Sequence, residues 1–502
     1  MTAVATILAR RRAGILLHPT SLPGEPANGD LGEDAHRFVD FLAASGICVW
    51  QILPHGPTHE DGSPYQALSV HAGNPLWISL RELVYCGWLN ALDQPSEGKE
   101  VAWRRMKLRD AFQAFEYGAR DEEREAFREF CMTQAHWLDD FSLFAVLREE
   151  QQNRSWQDWP PELRNRDPEA LYHARTRLLG GINQVKFEQF LFFRQWFALR
   201  TYATSKGVLL FGDLPIYVSL DSADVWAHRD QFDLDEEGNA RTVAGVPPDY
   251  FSATGQRWGN PHYNWERMQE QGFSWWHERV RSLLSMYDLV RIDHFRGFEA
   301  FWSIPADQIN AVKGEWVKAP GEALFTSLVR EFGPLPVVAE DLGVITDEVT
   351  ALRKRFAFPG MRILQFAFGG GADNPYLPHN HEVDAVAYTG THDNDTTCGW
   401  FDQLNEDERE RVSDYLGYPQ EDMPWPLVRA ALASVAGLAV LPMQDVLELG
   451  TESRMNTPST TRGNWRWRFS WDQLTDTRRS RLAHLVRLYG RDGGRDGVTA
   501  KS

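Results

Sequence analysis

The chain has 502 residues, 43% hydrophobic and 24% charged, an ordinary globular composition that excludes disordered, collagenous and fibrous proteins. Seventy Asp and Glu against 52 Lys and Arg leave a net charge of -18, which repels a phosphate backbone or an anionic membrane surface and argues against nucleic acid as a partner. No apolar run approaches the ~18 residues that span a bilayer, and the run at 13–17 is too short for a secretion-signal core, so a cytoplasmic protein with no membrane partner is expected.

In chain order, apolar runs of strand length recur at residues 14–18, 47–54, 208–213, 289–293, 337–340, 362–368, 385–388 and 438–442, each ending in polar or ionisable groups. Eight such runs with helix-length stretches between them predict an α/β fold, a parallel (β/α)8 TIM barrel, with residues 1–80 as its first part and 201–490 as its remainder. The second and third runs are separated by far more than the roughly 30 residues of a βαβ unit, so residues 81–200 are expected to form an inserted, mainly helical subdomain. Within it Phe112, Phe115, Phe127 and Phe130 recur at helical spacing among the acidic residues of 121–125, which reads as an amphipathic, solvated helix face. The Pro-, Gly- and aromatic-punctuated stretch 245–261 follows the third run and is expected to be a lid loop over the barrel mouth. Asn405 followed by Glu408 predicts a capped helix that Gly417 ends, and residues 491–502 are expected to form a flexible tail. Cys48, Cys86, Cys131 and Cys398 lie far apart with no Cys-x-x-Cys pair, so neither a disulfide framework nor a zinc ribbon is expected. Twenty tryptophans are the one compositional oddity; core packing accounts for most, and flat aromatic faces also suit pyranose rings.

A TIM barrel builds its active site at the C-terminal ends of its strands, so the ionisable groups that close these runs are the candidates. Asp213, Asp293 and Glu340 close their runs, and Asp393 follows Tyr388-Thr389-Gly390-Thr391-His392. Strand alternation puts Arg291 and Asp293 on one face, where the guanidinium favours the ionised carboxylate, as a nucleophile needs. Glu340 follows Val337-Val338-Ala339, an apolar setting that keeps a carboxyl protonated for general acid work. Two carboxyls in such contrasted settings suit retaining glycoside cleavage. The same oxygens leave a second reading open, in which Asp293, Glu340, Asp341, Asp393 and Asp395 gather around Mg²⁺. Either Asp393 or Asp395 is functional on this reading of the residues, the other capping the helix that follows. His379 and His381 read as loop residues, and Gly369-Gly370-Gly371 lacks the Lys-Ser or Lys-Thr of a phosphate-binding loop.

Seven segments in order carry a resemblance to a known family: residues 12–24, Trp50-Gln51-Ile52-Leu53-Pro54, Ser63-Pro64-Tyr65-Gln66, Gly212-Asp213-Leu214-Pro215, Arg291-Ile292-Asp293-His294-Phe295-Arg296-Gly297, Ala339-Glu340-Asp341-Leu342-Gly343 and Thr391-His392-Asp393-Asn394-Asp395. Together they resemble glycoside hydrolase family 77, the 4-alpha-glucanotransferases, over residues 12 to about 470. The resemblance implies an amylase-type barrel and a cofactor-free retaining double displacement that moves α-1,4-glucan segments from donor to acceptor, with cyclic glucans from intramolecular transfer. It implies Asp293 as nucleophile, Glu340 as acid and base, and Asp393 rather than Asp395 as transition-state stabiliser. Asp213, Arg291, His294 and His392 resemble the family's substrate-orienting shell, Tyr65, Gln256 and Trp258 its glucan contacts, and Asn464 a further contact through Gly463-Asn464-Trp465. A monomer or small homo-oligomer is expected.

Overall fold

The computed structural model describes residues 7–24, 28–248, 252–460 and 462–494. Eight parallel strands form its central sheet: β1 (Arg12–Leu16), β2 (Val49–Gln51), β3 (Leu209–Pro215), β6 (Leu289–Asp293), β9 (Val337–Ala339), β10 (Gly360–Ile363), β11 (Ala385–Tyr388) and β12 (Leu438–Pro442). They are ordered β10-β11-β12-β1-β2-β3-β6-β9, and the Ala339 N–H donating to the Pro359 carbonyl at 2.8 Å ties the last strand towards the first, so the sheet curls into a nearly closed (β/α)8 TIM barrel. Each of the eight predicted runs holds a strand, but the bounds shift: the first strand starts at Arg12, and in the run 47–54 only Val49–Gln51 is strand. The sixth strand ends at Ile363, and Leu364–Phe366 is a 3-10 turn rather than more strand. Thr389 and Asp395 anchor that turn, the Gln365 N–H donating to the Thr389 carbonyl at 3.3 Å and its Nε2 to the Asp395 carbonyl at 2.9 Å.

Strand alternation sorts the apolar residues into two cores. Leu16, Val49, Phe211, Leu289, Val338, Met361, Val386 and Val440 fill the barrel interior. Their neighbours Ile15, Trp50, Leu210, Val290, Ala339, Ala387 and Leu441 face outward into a second cluster shared with the surrounding helices. Gly14 points inward, where an added Cβ would stand 3.1 Å from the Val49 Cβ, so a side chain there would crowd the barrel axis.

Between β2 and β3 lie the helices Leu80–Tyr85, Glu100–Gly118, Asp121–Thr133, Ala135–Glu150, Pro161–Arg164, Pro168–Arg177 and Leu179–Ser205. The expected phenylalanine face packs edge to face: Phe115 lies 5.6 Å from Phe127, which in turn lies 5.6 Å from Phe190 on the long helix Leu179–Ser205. That helix passes residue 200 and leads directly to β3, and its Trp196 joins the same apolar cluster as the barrel exterior. The Asn405 cap forms as expected, its side chain accepting from the Glu408 N–H while the Glu408 carboxylate accepts from the Asn405 N–H, both at 2.9 Å.

A second sheet stands beside the barrel, with β4 (Thr242–Val246), β5 (Gln256–Pro261), β7 (Ala300–Pro305) and β8 (Glu315–Lys318) in the antiparallel order β5-β4-β7-β8. The stretch 245–261 is therefore not a free loop, because both its ends are strands of this sheet. Gly245 makes the pairing feasible, since a Cβ there would fall 2.1 Å from the Gln256 carbonyl oxygen. Residues 249–251 of this stretch lie outside the described residues.

The expected tail also needs correction. Residues 491–494 are docked under the barrel: Asp492 bridges to Arg12, the Ala13 N–H donates to the Arg491 carbonyl at 2.8 Å, and the Arg491 side chain is fully buried. An arginine that can satisfy its donors on buried carbonyls holds chain that composition alone reads as frayed. Residues 495–502 lie outside the described residues. Among the described residues, no helix is long and apolar enough to cross a membrane.

Candidate active site

Register brings the carboxylates together. Asp213 pairs with Arg291 across β3 and β6, and the Glu340 N–H donates to the Ile292 carbonyl at 2.9 Å, so Asp293 and Glu340 leave adjacent strands at the same level of the mouth. Arg291 is the buried hub. Its Nη1 donates to Asp213 Oδ2 at 2.5 Å and to the Tyr65 hydroxyl at 3.3 Å, and its Nη2 donates to Asp293 Oδ1 at 2.6 Å. Tyr65 donates in turn to Asp213 Oδ2 at 2.7 Å. Asp213 is sealed in, and burial pushes its carboxyl up to about 6 against the opposing pull of Arg291. The Asp293 side chain, by contrast, stays 28% exposed and open to a substrate.

Glu340 has the environment its apolar strand implied. Burial, reinforced by the negative charge of Asp293, pushes its carboxyl up to about 8 against the pull of Arg291 and two backbone donors. Those donors fix its orientation: the His294 N–H reaches Oε2 at 2.6 Å and the Leu342 N–H reaches Oε1 at 2.9 Å. For the His294 N–H to do so, His294 adopts left-handed backbone with φ of 50°, a conformation costly for a residue with a Cβ and one that collects at functional sites. The His294 ring is buried and held neutral, burial pushing it down to about 3, and its Nε2 has no hydrogen-bond partner among the described residues. Trp258 stands perpendicular to it at 4.8 Å, with its Nε1 donating to Gln256 Oε1 at 3.1 Å. The arm β5 thus brings both Gln256 and Trp258 to the mouth.

Asp393 is held from a loop that sequence reasoning passed over. Its Oδ1 accepts from Asn456 Nδ2 at 2.6 Å and its backbone carbonyl from Arg454 Nη2 at 2.6 Å. Its Oδ2 lies 3.4 Å from Nε2 of the buried His392, whose ring stacks on Tyr65 at 5.2 Å. Trp465 closes this aromatic group, 6.0 Å from Tyr65 and 5.9 Å from His392. Arg454 and Asn456 follow the eighth strand, and the rule that every βα loop of a barrel reaches the mouth was the signal available for them.

The neighbouring acids are engaged elsewhere. Asp395 accepts from Gln403 Nε2 at 2.7 Å and from the Thr451 hydroxyl at 2.9 Å, and Asp341 sits between Arg353 and Arg362, each at 3.3 Å. Among the described residues no three His, Cys, Asp or Glu side chains are grouped so that they could hold a metal ion. Asn464 turns inward on its own loop, accepting from the Thr457 N–H at 3.0 Å and donating to the Thr460 carbonyl at 3.1 Å. Its neighbour Trp465, rather than its amide, reaches the aromatic group. His379 and His381 are loop residues as expected, within reach of the Tyr415 hydroxyl at 3.0 Å and the Tyr376 carbonyl at 2.9 Å.

Comparison with known proteins gives the family. The model of glycoside hydrolase family 77, described as 4-alpha-glucanotransferase, matches residues 17–475. The chain is 49% identical over 490 residues to the 4-alpha-glucanotransferase of Thermus thermophilus, covering 95% of this chain and 98% of that protein. It is 48% identical over 499 residues to the 4-alpha-glucanotransferase of Synechocystis, covering 97% and 99%. The structure of an amylomaltase from Streptococcus agalactiae in complex with acarbose superposes with a TM-score of 0.92 at 36% identity, covering 96% of this chain and all of that one. With carboxylates on adjacent strand ends of the barrel and this match across nearly its whole length, the chain belongs to glycoside hydrolase family 77, the 4-alpha-glucanotransferases.

Proposed function

We propose that the protein moves α-1,4-glucan segments between a donor and an acceptor by a retaining double displacement, with Asp293, Glu340 and Asp393 as its catalytic carboxylates. The observation that carries this reading is the opposed environment of two neighbouring carboxyls: Glu340, pushed up to about 8 by burial, keeps its proton at neutral pH beside Asp293, which Arg291 holds at 2.6 Å. In the first step Glu340 gives its proton to the glycosidic oxygen while an oxygen of Asp293 attacks the anomeric carbon. The bond to the leaving chain breaks and a glucosyl ester forms. In the second step the Glu340 carboxylate takes the proton of an acceptor hydroxyl, the acceptor oxygen attacks the anomeric carbon, and the ester bond breaks to free Asp293. Asp393, steadied by Asn456, holds ring hydroxyls as charge develops on the sugar. Neutral His294, with its free Nε2, and His392 orient the same ring.

Transfer wins over hydrolysis when a stacked acceptor outcompetes water at the ester, and Trp258 beside His294 supplies an aromatic wall for such an acceptor. An acceptor that is the far end of the bound chain yields a cyclic glucan. The test is incubation of the purified protein with maltotriose, without added metal, with products resolved by chain length. A ladder of longer maltooligosaccharides plus glucose is expected. Glucose and maltose alone would replace transfer by hydrolysis.

A further inference from the structure

The second sheet carries an exposed tryptophan whose contacts run straight back to both catalytic loops. Trp316 lies on β8, paired in register with Trp302 of β7, and the two rings meet nearly edge to face at 5.3 Å. Arg296 covers one face of Trp316, its guanidinium carbon 3.8 Å from the ring centroid. Arg296 is itself buried, three residues beyond Asp293, and its Nη1 donates to the carbonyl of Val344, four residues beyond Glu340. One guanidinium therefore ties the turn after the nucleophile to the turn after the acid and backs an indole with both. Trp316 remains 41% exposed and Val344 58% exposed.

Trp316 is thus held by Arg296 on one face and by Trp302 at an angle, and still keeps 41% of its surface exposed. A cation behind the ring and a second indole at its edge hold it in place, so little side-chain freedom is lost when a ligand stacks on it. Flat and fixed, with Lys318 two residues along the same strand paired to Glu299, it offers the apolar patch that suits the face of a pyranose.

We propose that Trp316 is a docking platform for an α-1,4-glucan chain beyond the sugars held at Asp293 and Glu340, so that it selects for long chains. This rests on the reading of the mouth as a glucan site, and the test separates the two. Equilibrium binding of soluble amylose and of maltotriose is measured calorimetrically on full-length Asp293→Asn protein, with and without Trp316→Ala or Trp316→Phe. The expected result is an amylose Kd weakened about two- to tenfold by Trp316→Ala, the range that 0.5 to 1.5 kcal/mol of aromatic contact gives, and largely recovered by Trp316→Phe. Maltotriose binding should stay unchanged, because the proposed platform acts on sugars beyond those held at the carboxylates. Equal losses on both sugars, or none on amylose, would overturn the platform. Should the wild-type protein instead make no longer oligosaccharides from maltotriose, transfer fails as the reaction, while the amylose comparison still decides whether Trp316 holds a chain.

Discussion

Two buried arginines sit at opposite ends of this barrel and are satisfied in opposite ways. Arg291, at the mouth, gives its donors to Asp213, Asp293 and Tyr65. Arg491, at the floor, gives its donors to backbone carbonyls: Leu432 at 2.5 Å, Ala436 at 3.0 Å, Ser434 at 2.8 Å and Arg12 at 3.1 Å. Three of those carbonyls end or follow the helix Trp425–Ala433, whose dipole favours a cation there. Burial and the nearby Arg11 hold Arg491 down to about 9, whereas its counterions raise Arg291 well above its ordinary value despite its burial. At the floor the guanidinium bonds of Arg491 all end on neutral oxygens. The mouth gathers Asp213, Asp293 and Glu340 around one arginine that pairs with the first two.

This contrast predicts that changes at the mouth are read in turnover and changes at the floor in stability. On the proposed double displacement the largest effect is expected for Asp293→Asn, which would remove the charge of the attacking oxygen and should lower transfer by on the order of 10⁴-fold with the fold intact by circular dichroism. Glu340→Gln should cost roughly 10²- to 10⁴-fold. In the wild type, kcat/KM should fall as pH rises through about 8, since Glu340 must carry its proton to act as acid, and a profile flat to well above 8 would contradict that environment. A carboxyl raised above its unfolded value near 4.5 contributes fully below that value and loses its contribution as pH climbs towards 8, so Glu340→Gln should flatten that decline in urea melts.

Arg491→Met should take one donor from each of several buried carbonyls, leaving Leu432 and Ser434 to Arg11 alone, and lower unfolding free energy by on the order of 3 kcal/mol, with kcat of the folded protein unchanged. Arg291→Lys keeps the charge but not the fork that reaches Asp213 and Asp293 together, and should lower kcat about 10²-fold while melting changes less than in Arg491→Met. The smallest effect is expected for Trp258→Ala, a few-fold rise in free glucose relative to transferred oligosaccharide. An unchanged ratio would remove Trp258 from the acceptor wall.

The barrel strands were legible because parallel strands buried on both faces write themselves as apolar runs, and a polar residue at the end of such a run stands out. Asp213, Asp293 and Glu340 were found that way, and strand alternation alone placed Arg291 on the face of Asp293. Residues held through loops were less visible. Asn456 and Arg454 close no apolar run, and their place after the eighth strand points only to the mouth, so it takes their bonds to Asp393 to single them out. The arm at 245–261 reads as a loop because Gly and Pro punctuate it, yet Gly245 is there to let β5 approach closely. Arg491 fell into a Gly-Asp-Arg stretch that looks frayed, and nothing local announces that helix-end carbonyls await it. Pairings far apart in sequence are set by the fold, so a residue's own neighbours do not report them.

The most direct test of the central claim is to trap the glycosyl-enzyme. Glu340→Gln protein given an α-maltosyl fluoride, whose leaving group needs no acid, should accumulate an ester because the base for the second step is gone. Peptide mass mapping should find the added maltosyl mass on the peptide containing Asp293. An adduct on Asp213 or Asp393, or turnover with none, would contradict the assignment of Asp293 as the nucleophile.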